Sequence, residues 1–338
     1  MTTVTPPLVL EPVLADDEGA LREWFELAAA AQAHDVPAGP PPCWVAHRTQ
    51  LSVPWPGEET SAWLARSDGA LVGVVELTLP TLDNLDTALG QIVVAPEHRR
   101  RGIGRHLLAH LTDQARAAGR VRLIGEAHAP LDGPGSGGPF AAAAGAREAL
   151  LDVRRRLALP VDEALLDRLE AEARARAADY ELEQWTGDTP PQWRAEIARL
   201  TARMSTDAPL GELAWQPEHH DAQRVAGRDA MCRARGYRMT LTAARHGDRL
   251  VGFSEIAVTT SYPQHASQWD TIVDPDHRGH RLGMLLKVAN LRLAQEQHPE
   301  MRTVDTYNAA SNSYMIAINE AMGFRPLDRL GEWQLELG

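Results

Sequence analysis

The chain contains the stretch Ile92-Val-Val-Ala-Pro-Glu-His-Arg-Arg-Arg-Gly-Ile-Gly104 and, 179 positions later, the related stretch Thr271-Ile-Val-Asp-Pro-Asp-His-Arg-Gly-His-Arg-Leu-Gly283. Upstream of these, Leu71-Val-Gly-Val-Val-Glu76 recurs at the same spacing as Leu250-Val-Gly-Phe-Ser-Glu255. The two copies stay in register without a gap over both segments. This repetition indicates a duplicated domain.

Each copy has the pattern of a strand, a loop rich in Arg and Gly, and a helix. In the first copy, apolar residues follow the loop at helical spacing, at Ile103, Leu107 and Leu111. A helix N-terminus offers free backbone N–H groups and the positive end of the helix dipole, and glycines let an anion approach the backbone closely. A solvated basic run would also explain the arginines. The preceding strand, the glycine pair and the second copy favour a loop that binds phosphate groups.

The composition excludes several classes of function. The 338 residues are 44% apolar and 24% charged, which is ordinary for a globular chain of about two domains. A formal net charge of −12 disfavours broad binding to nucleic acid or to an anionic membrane. Cys43 and Cys232 lack the spacing of zinc ligands or of a disulfide framework. With no signal-peptide pattern and no apolar stretch of about 18 residues, we expect a cytoplasmic protein.

The repeat also sets the expected domain boundaries. We predict an N-terminal domain over residues 1–158, a linker helix over 159–178 and a C-terminal domain over 179–338. One face of the linker helix carries the apolar residues Leu165, Leu166, Leu169 and Ala173. Strands and helices in both halves predict an α/β fold. Residues 131–139 are so rich in Gly and Pro that we expect a loop there.

The loop resembles the signature Gln/Arg-x-x-Gly-x-Gly/Ala of the GNAT acetyltransferase superfamily, in which it binds the pyrophosphate of acetyl-CoA. The first copy matches in full through Arg99, Gly102 and Gly104. In the second copy Arg278 and Gly283 match, but Arg281 replaces the middle glycine. An arginine tolerates a helical conformation and adds positive charge, so the replacement does not by itself imply weaker binding of acyl-CoA. The resemblance implies two GNAT-like units, each a mixed, mainly antiparallel sheet flanked by helices and splayed at the cofactor strand. It also implies acetyl-CoA, or another acyl-CoA, as the cofactor.

The resemblance further implies which residues bind the cofactor. In the first copy they are Ile92, Val93, Val94, Arg99, Arg100, Arg101, Gly102, Ile103, Gly104 and Arg105. In the second copy they are Ile272, Val273, Arg278, Gly279, His280, Arg281, Leu282, Gly283 and Asn312. Backbone N–H groups within Val93–Ala95 and Ile272–Asp274 are implied as donors to the thioester oxygen.

A second family element, Asn-x-x-Ala-x-x-x-Tyr-x-x-x-Gly-Phe, is matched by Asn312, Gly323 and Phe324. The tyrosine that protonates the departing thiolate in this family is replaced by Asn319, whose amide can only hydrogen-bond the sulfur or position water. Candidate substitutes are Tyr314, Tyr307 and Tyr262. The first half lacks both the Asn and the Tyr. This asymmetry resembles tandem acetyltransferases of the mycothiol-synthase type, in which one unit performs the chemistry and the other is largely structural or regulatory.

Glu255 and Glu76 are the candidate general bases. An amine with a pKa near about 10 must lose a proton before it attacks, and a desolvated carboxylate can accept that proton. The resemblance places Glu255 on the strand that borders the acceptor site, and strand alternation puts it on one face with Val251 and Phe253. For both glutamates, a carboxylate that reaches solvent from a strand end is the alternative interpretation.

These observations predict an acetyl-CoA-dependent transferase that acylates the amine of a small molecule, with its reaction site in the C-terminal unit and the stronger CoA site in the N-terminal loop. The alternative is a non-catalytic acyl-CoA-binding or regulatory protein, which the replaced tyrosine would permit. Metal binding through His277 and His280 lacks acidic or thiol partners, and Ser254 lacks the setting of a hydrolase nucleophile. An irregular segment around Trp215 and His219-His220 either lines a substrate pocket or packs on the surface.

Overall fold

The computed structural model describes residues 8–338, which pack into two units. The first unit comprises residues 8–151, 211–214 and 328–338, and the second comprises residues 152–210 and 215–327. Both units are therefore discontinuous in the sequence. The linear boundaries predicted from the repeat, which end the N-terminal domain at residue 158 and begin the C-terminal domain at residue 179, stay a prediction.

Residues 8–338 contain twelve strands and ten α-helices. The strands are β1 (Leu8–Pro12), β2 (Glu58–Ser67), β3 (Ala70–Pro80), β4 (Thr87–Val94), β5 (Arg122–Pro130), β6 (Arg147–Ala158), β7 (Glu181–Thr186), β8 (Tyr237–His246), β9 (Arg249–Thr259), β10 (Tyr262–Val273), β11 (Thr303–Ala309) and β12 (Arg325–Glu336). The helices are α1 (Glu18–Asp35), α2 (Trp44–Thr49), α3 (Ile103–Ala117), α4 (Gly137–Ala143), α5 (Glu163–Arg174), α6 (Arg194–Ala202), α7 (Met204–Asp207), α8 (Ala222–Ala234), α9 (Leu282–Gln297) and α10 (Ser313–Met322). The predicted α/β class is confirmed.

Each unit has a six-stranded sheet with the same pattern of directions. The order is β1-β2-β3-β4-β5-β12 in the first unit and β7-β8-β9-β10-β11-β6 in the second, with residues 328–336 of β12 and 152–158 of β6 as the sixth strands. Neighbours run antiparallel except for one parallel pair in each unit, β4 with β5 and β10 with β11. The predicted mixed, mainly antiparallel sheets are confirmed.

Helices cover both faces of each sheet because successive strand residues point to opposite sides. In the first unit, Val75 packs in the core beneath α3, whereas Val74 packs in the core beneath α1. In the second unit, Ile256 lies in the core that contains α5, α9 and α10, and Phe253 lies in the core that contains α6 and α8. The face of β9 that carries Phe253 also carries Glu255, so this carboxylate points toward α8.

Two local predictions concern the helix between the repeats and the Gly- and Pro-rich loop before β6. The helix expected within residues 160–178 is α5, whose N-cap residue Asp162 accepts a hydrogen bond from the N–H of Ala164 at 3.0 Å. The loop expected over residues 131–139 is wrong at its end, because α4 already begins at Gly137. Pro139 fits there because the first turn of a helix has no intrahelical acceptor for its N–H groups.

Candidate active site

The loop between β4 and α3 presents a row of backbone N–H groups. The N–H groups of His98 and Arg99 donate to carbonyls of the preceding turn, but those of residues 100–104 find no acceptor within residues 8–338. Arg100 (φ 63°) and Gly102 (φ 86°) are both left-handed. Such alternation turns successive N–H groups toward one side and forms an anion-binding concavity at the helix N-terminus.

The loop between β10 and α9 has the same pattern of backbone conformations, but its glycine takes the first left-handed position instead of the second. Gly279 (φ 85°) and Arg281 (φ 57°) take the two left-handed positions that correspond to Arg100 and Gly102. The N–H groups of residues 279–283 likewise lack acceptors in the described part of the chain. Arg281 is the N-cap residue of α9 and takes a left-handed conformation. Each loop therefore accommodates one non-glycine residue at a cost of roughly 1–2 kcal/mol.

The first arginine of each loop ties the loop to the protein. Arg99 Nε donates to the carbonyl of the last residue of β4 at 3.1 Å, and its two Nη atoms bind Asp35 at 2.6 and 2.7 Å. Arg278 repeats this arrangement, with Nε 3.2 Å from the last carbonyl of β10 and Nη2 2.8 Å from Asp207. Burial raises the pKa of Asp35, but the Arg99 guanidinium outweighs it and holds that pKa below the ordinary value. A direct contact of these side chains with a cofactor stays a prediction.

Several other loop side chains that were predicted to bind the cofactor form hydrogen bonds or ion pairs with neighbouring residues. Arg101 Nη2 donates to the carbonyl of Glu97 at 3.0 Å, Arg281 pairs with Glu172 at 2.7 Å, and His280 Nδ1 lies 3.2 Å from the carbonyl of Arg176. Ile103 and Leu282, the first residues of α3 and α9, are buried in the cores, whereas Arg105 is exposed. The anion-binding capacity of both loops therefore rests mainly on the backbone.

Glycines allow other side chains to pack closely against the first turns of α3 and α9. A Cβ atom at Gly104 would lie 3.3 Å from the ring of Phe140, and one at Gly283 would lie 3.0 Å from Ile318 Cδ1. The exposed side chain of Tyr314 also lies here, because its hydroxyl would be 3.9 Å from a Cβ at Gly283. Tyr314, predicted as a possible general acid, thus lies beside the phosphate loop of the second unit.

Next to each loop, one strand separates from its parallel neighbour. β4 pairs with β5 only over Thr87–Leu89, and β10 pairs with β11 only over His265–Ser267. The predicted strand residues Ile92, Val93, Val94, Ile272 and Val273 all follow these short pairings. The predicted splay is therefore present in both units. The N–H groups of Ala95 and Asp274 donate to the carbonyls of Val72 and Val251, so they are not available to a thioester.

A β-bulge interrupts β10 opposite Glu255. The register with β9 shifts between Gln268 and Thr271, which places Trp269 and Asp270 in the bulge. Gln268 is buried and fixes this geometry, because its Nε2 donates to the backbone carbonyl of Glu255 at 2.6 Å. Asp270 is partly exposed, and its carboxylate receives no hydrogen bond from any residue of the described chain.

Glu255 and Asp270 form a pair of carboxylates whose charges act on each other. Arg228 forms an ion pair with Glu255 and acts on Asp270 through its charge. Glu255 is only 1% exposed and binds Arg228 of α8 at 2.5 Å, so the interpretation of a strand-end carboxylate in solvent is wrong. The guanidinium of Arg228 also lies 5.2 Å from the ring centroid of Trp269. Burial first, and then the charge of Glu255, raises the pKa of Asp270 to about 6, against an opposing effect of Arg228. The pKa of Asp270 therefore lies above that of an ordinary aspartate, while the carboxylate is still mostly ionised at neutral pH.

The irregular segment before α8 adds a second polar group to this region. Glu218 accepts hydrogen bonds from Trp215 Nε1 at 2.9 Å and from the His220 ring at 3.0 Å. The bond from His220 is the main reason that the pKa of Glu218 is lowered. The charges of both Glu218 and His220 act on Asp270. Of the two interpretations of this segment, the pocket interpretation has this support.

The first unit lacks the second carboxylate. Glu76 is half-buried and lies opposite Gln91 in a regular ladder with β4, without a bulge among the paired residues. Gln91 occupies the position of the repeat that Asp270 occupies in the second copy. The two units therefore differ in their carboxylate chemistry although their loops share one backbone.

The second predicted family element has structural roles in α10. Asn312 is the N-cap residue, and its Oδ1 accepts a hydrogen bond from the N–H of Met315 at 3.1 Å. Asn319 is fully buried, and its Nδ2 donates to Asn308 Oδ1 at 2.6 Å. The Oδ1 of Asn319 has no hydrogen-bond partner within residues 8–338.

The histidines near the second loop contact a tyrosine. Tyr180 Oη lies 3.0 Å from His277 Nδ1, and the Tyr180 ring lies 5.3 Å from the ring of His280 and 5.2 Å from that of His246. Such an aromatic and polar cluster explains these histidines without a metal ion.

Comparisons with known proteins agree with this geometry. The family profile described as "Acetyltransferase (GNAT) family" matches residues 21–133. A mycothiol acetyltransferase of Sanguibacter keddieii is 31% identical over 245 residues, which cover 70% of this chain and 71% of that protein. The chain belongs to the GNAT acetyltransferase family.

Solved structures extend the match over both units. A tandem GNAT protein from the clavulanic acid biosynthesis pathway is 32% identical, with a TM-score of 0.80, and the match covers 98% of this chain and 99% of that one. A GNAT-related N-acetyltransferase from Sphaerobacter thermophilus is 15% identical with a TM-score of 0.65, covering 98% of this chain and 97% of that one, and shows the fold alone. The predicted tandem GNAT architecture is confirmed.

The residues of both loops fit the acyl-CoA that the GNAT family implies. Each loop offers five consecutive N–H groups, residues 100–104 and 279–283, for which the described chain supplies no acceptor. At Gly102 and Gly279 the space that a Cβ would occupy has no atom within 4 Å. These are the properties that a pyrophosphate group requires. None of the helices in residues 8–338 is long and apolar enough to cross a membrane.

Sequence reasoning did not single out Arg228 and Asp270, whose charges act on each other and on Glu255 in the structure. The repeat held a signal for Asp270, because the copies differ there by Gln91 against an acid. Nothing local marks Arg228, which reaches Glu255 only through the packing of α8 on the sheet.

Proposed function

We propose that this GNAT protein is an acetyl-CoA-dependent N-acetyltransferase that acts on a small-molecule amine, with its reaction site in the second unit. The observation that carries the proposal is the carboxylate pair of Glu255 and Asp270. Glu255 lies on β9 and binds Arg228, and Asp270 lies on β10, the strand that leads into the second loop. The first unit has Gln91 in place of Asp270.

In the second unit, the loop backbone, Asp270 and Glu255 would each have a separate role in the reaction. Acyl-CoA supplies an acyl group that is activated as a thioester. The backbone N–H groups of residues 279–283 would hold its pyrophosphate. Asp270 would accept the proton of the incoming ammonium group, since its pKa of about 6 leaves it ionised at neutral pH. Glu255 would complete the base as the partner that holds Arg228 and raises the pKa of Asp270.

The charge of the site supports an amine as acceptor. Two carboxylates, Glu255 and Asp270, and the guanidinium of Arg228 act on one another through their charges, so the group carries a net negative charge when both carboxylates are ionised. Such a site attracts an ammonium ion and then removes its proton. The names of the relatives, mycothiol acetyltransferases, support a small molecule rather than a protein as the acceptor.

We assign the first unit a binding role. Its loop keeps both glycines of the family signature, Gly102 and Gly104, which favours a strong acyl-CoA site. Its ladder at Glu76 and Gln91 offers one carboxylate where the second unit has two.

The test is acetyl transfer from acetyl-CoA to D-glucosamine, putrescine and L-lysine, followed by mass spectrometry of the products. The wild type should acetylate at least one of these amines, and Asp270→Asn should lower kcat by about 100-fold or more, as loss of a general base does. Calorimetry should give both proteins the same Kd for acetyl-CoA. Equal kcat values for wild type and Asp270→Asn would remove Asp270 from the reaction.

The alternative, a non-catalytic acyl-CoA-binding protein, has one observation in its favour. Asn319, at the place of the family tyrosine, is fully buried and is an amide. Binding of acetyl-CoA by the wild type without transfer to any amine would support this alternative and contradict the proposed enzyme.

A further inference from the structure

The chain has 34 lysine and arginine residues, and Lys287 is the only lysine among them. It lies in the second turn of α9 and is only 1% exposed. Its amine has no hydrogen-bond or ion-pair partner within residues 8–338, and its contact there is the ring of Phe324, 5.4 Å away. A buried amine without a partner is costly, which calls for a reason for its presence.

The position of Lys287 follows from its helix. Gly283 is the second residue of α9, and a Cβ atom there would lie 3.0 Å from Ile318 of α10. Lys287 comes four residues later and therefore lies on the same side of α9, one turn further along. Its contact with Phe324, which follows α10, agrees with this direction. The amine thus lies between α9 and the end of α10.

A second buried polar atom without a partner lies on the same side of the sheet. Asn319 of α10 precedes Phe324, whose N–H donates to its backbone carbonyl at 3.0 Å. Its side-chain Oδ1 is buried without a hydrogen-bond partner in the described chain. Its Nδ2 holds Asn308, which lies on β11 beyond the short pairing with β10. Asn319 therefore borders the region where β10 and β11 separate, and the amine of Lys287 lies near the end of the helix that carries Asn319.

We propose that Lys287 is the proton donor to the thiolate that leaves when acyl-CoA reacts in the second unit. This inference rests on the proposed function. The amine nitrogen of the acceptor forms the new C–N bond, the C–S bond breaks, and the sulfur takes a proton from the Lys287 ammonium. The lysine is left neutral and regains a proton from water. Asn319 cannot donate in this way because an amide is not an acid at neutral pH.

The electrostatic setting suits this role. Burial lowers the pKa of Lys287 to about 7, so both protonation states are accessible near neutral pH. Burial is the sole cause within the described residues. The four acids of α5, the helix packed against α9, pair with arginines instead: Glu163, Asp167 and Glu170 with Arg292, and Glu172 with Arg281. Gln268 and Asn308 are the neutral polar groups that the strands contribute near the splay.

A single lysine permits a direct test by NMR. Protein labelled with [13Cε]lysine should give one side-chain resonance, and titration with free CoA should shift it and change its pKa. The expected result is a shift in the wild type and in Gly104→Glu, but not in Gly283→Glu, which blocks the second loop. If CoA binds the second unit by calorimetry and the lysine resonance keeps its shift and its pKa, the inference is wrong while the proposed function stands. If CoA does not bind at all, the proposed function fails.

Kinetics supply the second readout. Lys287→Met should keep the Kd of acetyl-CoA and lower kcat by about 10–100-fold, less than for a typical general acid because a thiol leaves with a pKa of only about 8.5. The decline of kcat on the alkaline side should disappear in the variant. A variant with unchanged kcat and an unchanged pH profile would show that Lys287 gives no proton to the thiolate.

Discussion

The substitution Lys287→Met should stabilise the second unit at neutral pH. Methionine keeps the length and the apolar stem of lysine against Phe324 and removes an amine that is 1% exposed. Burial lowers the pKa of this amine from 10.5 in the unfolded chain to about 7 in the folded one. The folded state therefore holds the proton less tightly, which is a cost to stability whenever the unfolded chain is protonated.

The sign and size of the effect follow from these two pKa values. Between pH 7 and 10.5 the folded protein binds fewer protons than the unfolded chain, so stability rises with pH, by up to about 1.4 kcal/mol per pH unit. Below pH 7 the full cost applies, which is of the order of 5 kcal/mol. After roughly 1 kcal/mol for imperfect repacking, we expect a gain of a few kcal/mol for Lys287→Met at pH 7.

Calorimetry and urea unfolding between pH 6 and 10 measure this gain. For a unit of this size it corresponds to a rise in Tm of roughly 5–15 °C at pH 7. The difference between variant and wild type should shrink as pH rises and reach zero near pH 10, where the remaining cost of the buried amine equals the roughly 1 kcal/mol for repacking. Lys287→Arg is the matched contrast, because a guanidinium stays charged and should destabilise at every pH. A gain that does not depend on pH, or a loss at pH 7, would refute this reasoning.

Three further predictions concern the loop, the core and the carboxylate pair. Gly279→Ala and the control Gly247→Ala, both left-handed with no atom near a Cβ, should each cost about 1 kcal/mol in thermal unfolding, but only Gly279→Ala should weaken CoA binding. Asp305→Asn should cost about 3–5 kcal/mol in urea unfolding, because the Asp305 carboxylate is 2% exposed and binds Arg154 and Arg156 of β6. A cost below about 1 kcal/mol would show that these buried ion pairs do not stabilise the second unit. Glu255→Gln should move the acidic limb of the kcat/KM profile below pH 6, because loss of its charge lowers the pKa of Asp270, and an unmoved limb would separate the two carboxylates.

The sequence permits prediction of those features that are local and repeated. The alternating strands, the loops and the helices after them carry their own periodicity, and the agreement of two copies makes the family resemblance specific. The sixth strand of each sheet could not be assigned, because pairings such as Trp333 with Gly125 join distant parts of the chain and depend on tertiary packing.

The site was predictable in its loops and less so in its chemistry. Arg99 and Arg278 match the signature, but only the structure shows their carboxylate partners, which come from separate helices. The sequence shows that the glycine changes place between the two loops, from Gly102 to Gly279. Only the backbone angles show that both places are left-handed in both loops. The bulge that presents Asp270 arises from a register shift between strands, which no spacing within β10 records.

The most direct test of the central claim, that acyl transfer takes place in the second unit, is the rate of amine acetylation by the wild type, Gly104→Glu and Gly283→Glu, with binding of acetyl-CoA measured in parallel. Glutamate at either site places a carboxylate at the N-terminal turn that would hold the pyrophosphate. We predict that Gly283→Glu abolishes transfer and that Gly104→Glu removes a binding site but retains transfer. Loss of transfer in Gly104→Glu with full activity in Gly283→Glu would place the reaction in the first unit and contradict the account.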